Sequence, residues 1–299
     1  MSAGSSTENV ADRPGTRVAE GDPGRLRELL FEKLGLYVGE ERGGELASAL
    51  EAAARSVSDG SVDALLGMLR EERLGAESLR PLLDPLLGRR DSLIHDLNEF
   101  RAYREEFERP LASRARLRGD EALRIWCLSG EGGCEPYRIG LLLETWRVDD
   151  ETEIPTRVTA TQRDLEPLRR SRERLWRAPE LSGLGETVLA SGFEPVGDRW
   201  RLAAWADESI RLFSLDPAAP GDAEGLGSFD VVFARHTLCR LMPAPRERLL
   251  SLMLERLHPG GLLFLGRGES PGAAGGSLRL VLYPGGAVYR KPLRKRGEP

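Results

Sequence analysis

The segment from Leu123 to Leu143, LRIWCLSGEGGCEPYRIGLLL, restricts the possible folds more than any other part of the chain. The apolar run LRIW predicts a short buried strand, and a loop of small residues follows it. Pro136 predicts the first turn of a helix, because its missing N–H would be unpaired there in any case. Glycines in the loop let the backbone approach a ligand closely. A strand, a glycine-rich loop and a helix N-terminus together predict a site for a nucleotide-like ligand in an α/β sheet.

Composition and charge exclude several classes of protein. The chain has 299 residues, 40% of them hydrophobic, which predicts one or two domains with a sizeable core. The formal net charge of −5 gives no general attraction for nucleic acid. No apolar run approaches the roughly 18 residues that cross a bilayer, so membrane insertion is not expected. The three cysteines are odd in number and lack metal-ligand spacing, which favours a reduced, cytoplasmic protein without a metal site.

Periodicity divides the chain into four parts. Residues 1–23 are rich in Ser, Gly, Thr and charge, which predicts a disordered tail. Residues 24–118 have apolar positions at helical spacing and no convincing strand pattern, which predicts a small all-helical N-terminal domain. Residues 119–293 alternate strand-like and helix-like segments, and residues 294–299 form a second tail. The third part predicts a doubly wound, Rossmann-like α/β domain with an antiparallel C-terminal hairpin.

The predicted elements of this α/β domain follow from apolar runs and turn residues. Strands are predicted at 123–126, 157–161, 200–205, 210–215, 229–234 and 262–266, with a closing hairpin at 278–283 and 287–290. Helices are predicted at 137–146, 164–176 and 244–258, and the segment 179–198 is predicted to be irregular.

Four motifs resemble those of one enzyme family. The first combines Trp126, Gly133 and the run Glu135–Tyr137, and the others are FDVVFAR at Phe229–Arg235, LHPGGLLFLGRGES at Leu257–Ser270 and GAVYRK at Gly286–Lys291. The chain resembles class I S-adenosylmethionine (SAM) methyltransferases and, more closely, the chemotaxis receptor glutamate methyltransferases of the CheR family. The helical N-terminal part is similar to the small helical domain of that family in position and size.

The resemblance implies a SAM-dependent transfer of a methyl group to a protein carboxylate in a chemotaxis-like signalling pathway. It also implies a protein substrate, with a chemoreceptor cytoplasmic domain as the candidate. A glutamate side chain is already ionised at neutral pH and attacks a sulfonium methyl without a general base. The enzyme therefore mainly holds the two reactants in line and excludes water.

The site residues are also implied by the resemblance. For the cofactor site it implies Ser129, Gly130, Gly133, Cys134, Glu135, Gln162, Asp216 and His236. For catalysis it implies His95, Arg235 and Arg240. Glu135 has an alternative interpretation as a cap of the helix that begins at Pro136.

Five of these positions depart from the family pattern. Cys134 stands where the family has a glutamate, and His95 stands where it has an arginine. Gln162 replaces a carboxylate, His236 replaces an asparagine, and Arg240 lies near the position of a tyrosine. Because a neutral amide binds a ribose diol more weakly than a carboxylate does, Gln162 predicts weaker cofactor binding.

Two other functions stay open at this stage. The substitutions are compatible with a catalytically impaired descendant that serves as a binding or scaffold module. They are also compatible with a methyltransferase that has a different acceptor. The family carries a small β-subdomain that docks receptor tails, and segment 179–215 occupies its place with only two strand-like stretches.

Overall fold

The computed structural model describes residues 23–87, 98–128, 135–145, 155–163, 165–181, 184, 186–205, 210–216, 223–266, 268–284 and 286–293. The predicted disordered tail, apart from its last residue, and the tail at 294–299 lie outside these residues.

Four N-terminal helices confirm the predicted all-helical region. They are α1 (Pro23–Leu34), α2 (Gly43–Val57), α3 (Val62–Arg70) and α4 (Ala76–Leu87). Gly35 adopts a φ of 64° directly after α1, which is the left-handed conformation that ends many helices. The Ser61 side chain accepts a hydrogen bond from the Ala64 N–H at 3.2 Å and thereby caps α3. The apolar faces of the four helices share one core, which includes Leu30, Leu50, Leu69 and Leu83.

One long helical segment follows, and it packs on the sheet. It consists of α5 (Asn98–Ala102), a π-helical turn (Tyr103–Phe107) and α6 (Glu108–Arg118). Its predicted apolar face is buried, but Phe100 and Tyr103 contact Phe233 of the sheet. The predicted domain boundary at residue 118 therefore separates residues that share one core. Helical periodicity identifies the buried face of a helix, but not the element that covers it.

The main sheet has seven strands in the order β6-β2-β1-β7-β8-β10-β9. Their bounds are β1 (Leu123–Leu128), β2 (Thr156–Gln162), β6 (Ile210–Ser214), β7 (Phe229–Ala234), β8 (Leu257–Leu265), β9 (Arg279–Tyr283) and β10 (Gly286–Arg290). The first five strands in this order are parallel to one another. Strand β10 pairs in antiparallel orientation with both β8 and β9. The predicted doubly wound sheet with an antiparallel C-terminal hairpin is confirmed.

Within the described residues, four helices with defined bounds lie in the connections of the sheet. They are α7 (Glu135–Thr145), α8 (Glu166–Glu173), α9 (Glu186–Gly192) and α10 (Pro243–Arg256). On one face of the sheet, the long helical segment and α7 pack against residues such as Ile125 and Phe233. On the other face, Leu249 and Met253 of α10 pack against Val232.

A second, three-stranded antiparallel sheet has the order β3-β5-β4. Its strands are β3 (Leu175–Trp176), β4 (Phe193–Val196) and β5 (Arg199–Leu202). The helix predicted at 164–176 and the irregular segment predicted at 179–198 are therefore wrong in part, because β3, α9 and β4 lie within them. The strand predicted at 200–205 overlaps β5, whereas β3 and β4 offer too few apolar alternations for recognition from sequence.

The strand order determines where ligands bind. The chain proceeds outward from β1 to β2 and β6 on one side, and from β7 to β8 on the other. In open α/β sheets, ligands bind beyond the carboxyl ends of the strands at the point where the strand order reverses. The crevice beyond the ends of β1 and β7 is thus the expected site.

Candidate functional site

An ion pair spans this crevice. Arg235 directly follows β7, and Glu135 is the first residue of α7, the helix that follows β1. Arg235 Nη1 lies 3.5 Å from Glu135 Oε1. The Arg235 side chain is only 4% exposed, and its guanidinium lies 5.1 Å from the centroid of the Phe100 ring. A cation over an aromatic face is held electrostatically, so Phe100 of the long helical segment orients Arg235 toward the crevice.

The residue after Arg235 has an unusual backbone conformation. His236 adopts a φ of 55° and is buried. Conformations of this kind persist only where the surroundings hold them. The imidazole packs directly on β8, because a Cβ atom at Gly266 would lie 2.4 Å from His236 Nδ1. Glycine at position 266 is therefore required for the observed position of His236.

Glu269 holds the loops after β7 and β8 together. Its carboxylate accepts hydrogen bonds from the N–H groups of His236 at 2.5 Å, Gly266 at 2.7 Å and Cys239 at 3.0 Å. Burial raises the pKa of Glu269 above its ordinary value, and the three N–H donors partly offset the shift. The carboxylate oxygens face the protein's own backbone, so Glu269 positions the crevice loops.

Two further predicted residues lie at the carboxyl edge of the sheet. Gln162 ends β2, and its Oε1 atom is buried without a hydrogen-bond donor among the described residues. Asp216 follows β6, and its Oδ2 lies 3.5 Å from Arg163 Nε. β2 and β6 are adjacent, and Leu215 N donates to the Gln162 carbonyl at 3.0 Å. The structure therefore places Gln162, Asp216, Glu135, Arg235 and His236 at one edge of the sheet.

Arg240 points to a different partner. Its Nη2 lies 2.5 Å from Asp84 Oδ1 of α4, and its side chain is 8% exposed. This ion pair ties the turn after β7 to the N-terminal helices. The other predicted site residues lie outside the described part of the chain, namely His95, Ser129, Gly130, Gly133 and Cys134.

Phe100 is not among the site residues predicted from the sequence. Its helical spacing with other apolar residues is the available signal, but that pattern equally predicts an ordinary core residue. Glu269 lies in the third motif, but the spacing of residues in the sequence does not predict that its carboxylate accepts hydrogen bonds from three backbone N–H groups.

Comparison with known proteins decides the family. Residues 92–275 match the family described as CheR methyltransferase, SAM binding domain. This chain belongs to the CheR methyltransferase family. CheR proteins are SAM-dependent methyltransferases, so the resemblance deduced from the four motifs is confirmed, and so is the cofactor.

Curated CheR relatives span most of the chain at modest identity. Chemotaxis protein methyltransferase 2 of Vibrio cholerae is 24% identical over 276 residues, which cover 92% of this chain and 94% of the relative. The chemotaxis protein methyltransferase of Vibrio parahaemolyticus is 27% identical over 239 residues, or 79% and 82% of the two chains. That of Escherichia coli is 26% identical over 258 residues, or 82% and 83%.

The polar side chains in the crevice fit the cofactor. SAM carries an ammonium and a carboxylate on its methionine part and a diol on its ribose. Glu135 and Arg235 offer one anion and one cation, and the buried Gln162 Oε1 offers an acceptor that no described donor uses. Burial raises the pKa of Cys127, which lies near this ion pair, so its thiol stays protonated at neutral pH.

Membrane-spanning helices and metal-binding clusters are the last two features considered for the described residues. Within the described residues, no helix has the length and apolarity needed to cross a membrane. The same part of the chain contains no cluster of three or more His, Cys, Asp or Glu side chains suited to holding a metal ion.

Proposed function

We propose that this CheR-family protein transfers the methyl group of SAM to a glutamate side chain of a chemoreceptor cytoplasmic domain. The observation that carries the proposal is the Glu135–Arg235 ion pair at the switch point of the sheet. Curated relatives named chemotaxis protein methyltransferase, which align over most of this chain, support the choice of acceptor.

The chain's residues have binding and positioning roles in this reaction. SAM supplies an electrophilic methyl group when it is bound. Glu135 and Arg235 bind the charged ends of its methionine part, Gln162 binds the ribose, and Asp216 lies near the adenine. The neutral amide of Gln162 makes a weaker hydrogen bond than the carboxylate found in the family, so we expect lower affinity. The acceptor glutamate is ionised at neutral pH and needs no base from the protein.

In this proposal Arg240 is a positioning residue that holds the turn after β7. Its guanidinium is engaged by Asp84, and it follows His236 by four residues in the turn that Glu269 holds. We therefore assign Arg240 to the placement of that turn. His236, which is buried beside Gly266 and follows Arg235, lines the crevice at the end of β7.

Methyl transfer from labelled SAM to a receptor cytoplasmic fragment tests the proposal. We expect base-labile label in the fragment and none in a fragment whose methylation-site glutamates are changed to glutamine. Glu135→Gln should weaken SAM binding about tenfold, because a charge-assisted contact is lost. Glu186→Gln is the matched control, because Glu186 is also the first residue of a helix but is exposed and is not part of the proposed site.

Two outcomes contradict the proposal in different ways. SAM binding without label in the receptor fragment would favour a methyltransferase with another acceptor. An absence of SAM binding by calorimetry at about 1 mM, where even weak sites with free energies near −4 kcal/mol are half filled, would favour a scaffold protein.

A further inference from the structure

A second concave site lies at the amino edge of the sheet, opposite the crevice that holds Glu135 and Arg235. It is a cleft of about 620 Å³ between the first residues of β1, β2 and β6 and the turn that precedes β7. A strand of six residues is about 20 Å long, so this cleft and the SAM crevice are separate. The lining contains three arginines, and the other lining residues carry no charge.

Strand register places the three arginines on one face of the sheet. Arg124 of β1 is directly opposite Arg157 of β2. Arg211 of β6 is directly opposite Thr159, which lies two residues beyond Arg157 and so on the same face. Three adjacent strands therefore present a row of guanidinium groups, with neighbouring strands about 4.8 Å apart.

This arrangement is unfavourable without a ligand. Like charges placed directly opposite on neighbouring strands are destabilising. Within the described residues, none of the three guanidinium groups forms an ion pair. The carboxylate of nearby Asp230 is engaged by the guanidinium of Arg118 and by the Arg124 backbone N–H. Arginine is common throughout this chain, so the indicative feature is the cross-strand placement and not the residue type.

The wall of the cleft lies close to the arginines. In the described part of the β6–β7 connection, a single short 3-10 turn (Glu224–Leu226) faces the sheet. Gly227 adopts a φ of 85°, and a Cβ atom there would lie 3.8 Å from Arg124 Nη1. A Cβ atom at Gly225 would lie 3.2 Å from the Phe213 ring and 4.0 Å from Arg211 Nη2. The two glycines thus leave room beside the guanidinium groups.

We propose that this cleft binds a small ligand that carries at least two phosphate groups, such as a nucleoside diphosphate. Guanidinium forks match phosphate oxygens in pairs, and the Thr159 hydroxyl offers a further donor on the same face. Leu226 and Phe229 provide an apolar wall for a sugar or base. The volume lies within the range of about 300–1,000 Å³ that is usual for small-molecule sites, and a lone inorganic phosphate would leave most of it unfilled.

Calorimetry with the full-length protein tests the proposal, with pyrophosphate and uridine diphosphate as probes. Uridine diphosphate is chosen because it lacks the adenine of SAM. We expect saturable binding of both, and we expect Arg157→Gln and Arg211→Gln each to weaken it about tenfold. Arg199→Gln is the matched control, because Arg199 is an exposed strand arginine outside the cleft. Without ligand, Arg157→Gln should melt at the same temperature as the wild type or higher, because it relieves the repulsion with Arg124.

The proposal is overturned if neither probe binds at about 1 mM, the concentration at which a site with a binding free energy near −4 kcal/mol is half filled. It is also overturned if the cleft variants bind as the wild type does, or if only an acidic peptide such as tetraglutamate binds. The last outcome would assign the cleft to a peptide partner. SAM affinity, measured on the same variants, should be unchanged, so failure here is distinct from failure of the methyltransferase proposal.

Discussion

Two glutamates near the SAM crevice differ in what their carboxylates face. The Glu269 carboxylate accepts hydrogen bonds from three backbone N–H groups in the loops after β7 and β8, and both of its oxygens are used by them. Glu135 faces the Arg235 guanidinium across the crevice at 3.5 Å, a distance that leaves its carboxylate available to a ligand cation. Burial and hydrogen-bond partners, and not residue type, therefore distinguish the positioning glutamate from the one that we propose binds the cofactor.

We expect Glu269→Gln to lower the free energy of unfolding by about 1–3 kcal/mol. Glutamine keeps the shape of the side chain, but its amide nitrogen would meet a backbone N–H and leave at least one donor unsatisfied. Urea denaturation at about pH 5, close to the ordinary carboxyl pKa of 4.5, measures the effect. Glu255→Gln on the exposed side of α10 is the control and should change stability by less than about 0.5 kcal/mol.

The same pair of proteins has a predictable pH dependence. Burial raises the pKa of Glu269 in the folded state, so the folded protein binds this proton at pH values where the unfolded chain has released it. The stability contributed by this proton is fully present below the unfolded-state pKa of 4.5. It is lost as pH rises through the higher folded-state pKa. The difference in unfolding free energy between wild type and Glu269→Gln should therefore shrink as pH increases from 4.5 toward neutrality. A difference that grows with pH would mean that the three N–H donors outweigh burial.

At the scale of elements, the N-terminal helices contact the loops that shape the crevice. Ser270 N donates to the Gly35 carbonyl at 3.0 Å, and Tyr37 N donates to the Gly268 carbonyl at 2.9 Å. Arg246 of α10 donates to the Lys33 carbonyl at the end of α1 at 3.0 Å. The helical region is thus joined to the same segments that Glu269 holds, in addition to the Arg240–Asp84 ion pair.

A double-mutant cycle with Asp84→Asn and Arg240→Met measures the strength of that ion pair. We expect a coupling free energy of at least about 1 kcal/mol, because the Arg240 side chain is only 8% exposed and its partner lies at 2.5 Å. The control cycle uses Arg55 and Glu51, an exposed pair on α2 at 3.9 Å, and should give about 0.3–0.5 kcal/mol. Equal coupling in the two cycles would show that Arg240 does not fasten α4 to the turn after β7.

The elements that sequence predicted well are those with a local signature. β7 is apolar almost throughout, and all six of its residues are buried, so its run alone identified a central strand. The strands β3 and β4 have two and four residues and gave no comparable signal, whereas β5 overlaps the strand predicted at 200–205. The Arg240–Asp84 pair joins residues 156 positions apart, and no periodicity connects residues at such a separation. Local patterns therefore predicted the strands around the site, while the contacts that orient it required the structure.

At the scale of the whole molecule, the sheet has two groups of charged side chains at its opposite edges. Its carboxyl edge holds the Glu135–Arg235 pair and the loops of the SAM crevice. Its amino edge holds the row formed by Arg124, Arg157 and Arg211. The N-terminal helices α1 to α4 contact the first of these edges through segments 35–37 and 268–270. We therefore expect cofactor binding to slow amide hydrogen exchange where the helical region contacts the crevice loops.

Hydrogen exchange with S-adenosylhomocysteine, the demethylated product, tests this coupling. At about 100 times its dissociation constant the ligand should stabilise the protein by about 2.7 kcal/mol. Because the crevice loops share hydrogen bonds with segment 35–37, we expect slower exchange at the Tyr37 and Ser270 amides, which bridge the two regions. The β9–β10 hairpin, at the far edge of the sheet, is the internal control and should exchange at an unchanged rate. If protection stops at the crevice loops and leaves Tyr37 unchanged, the helical region is attached to the site without responding to it.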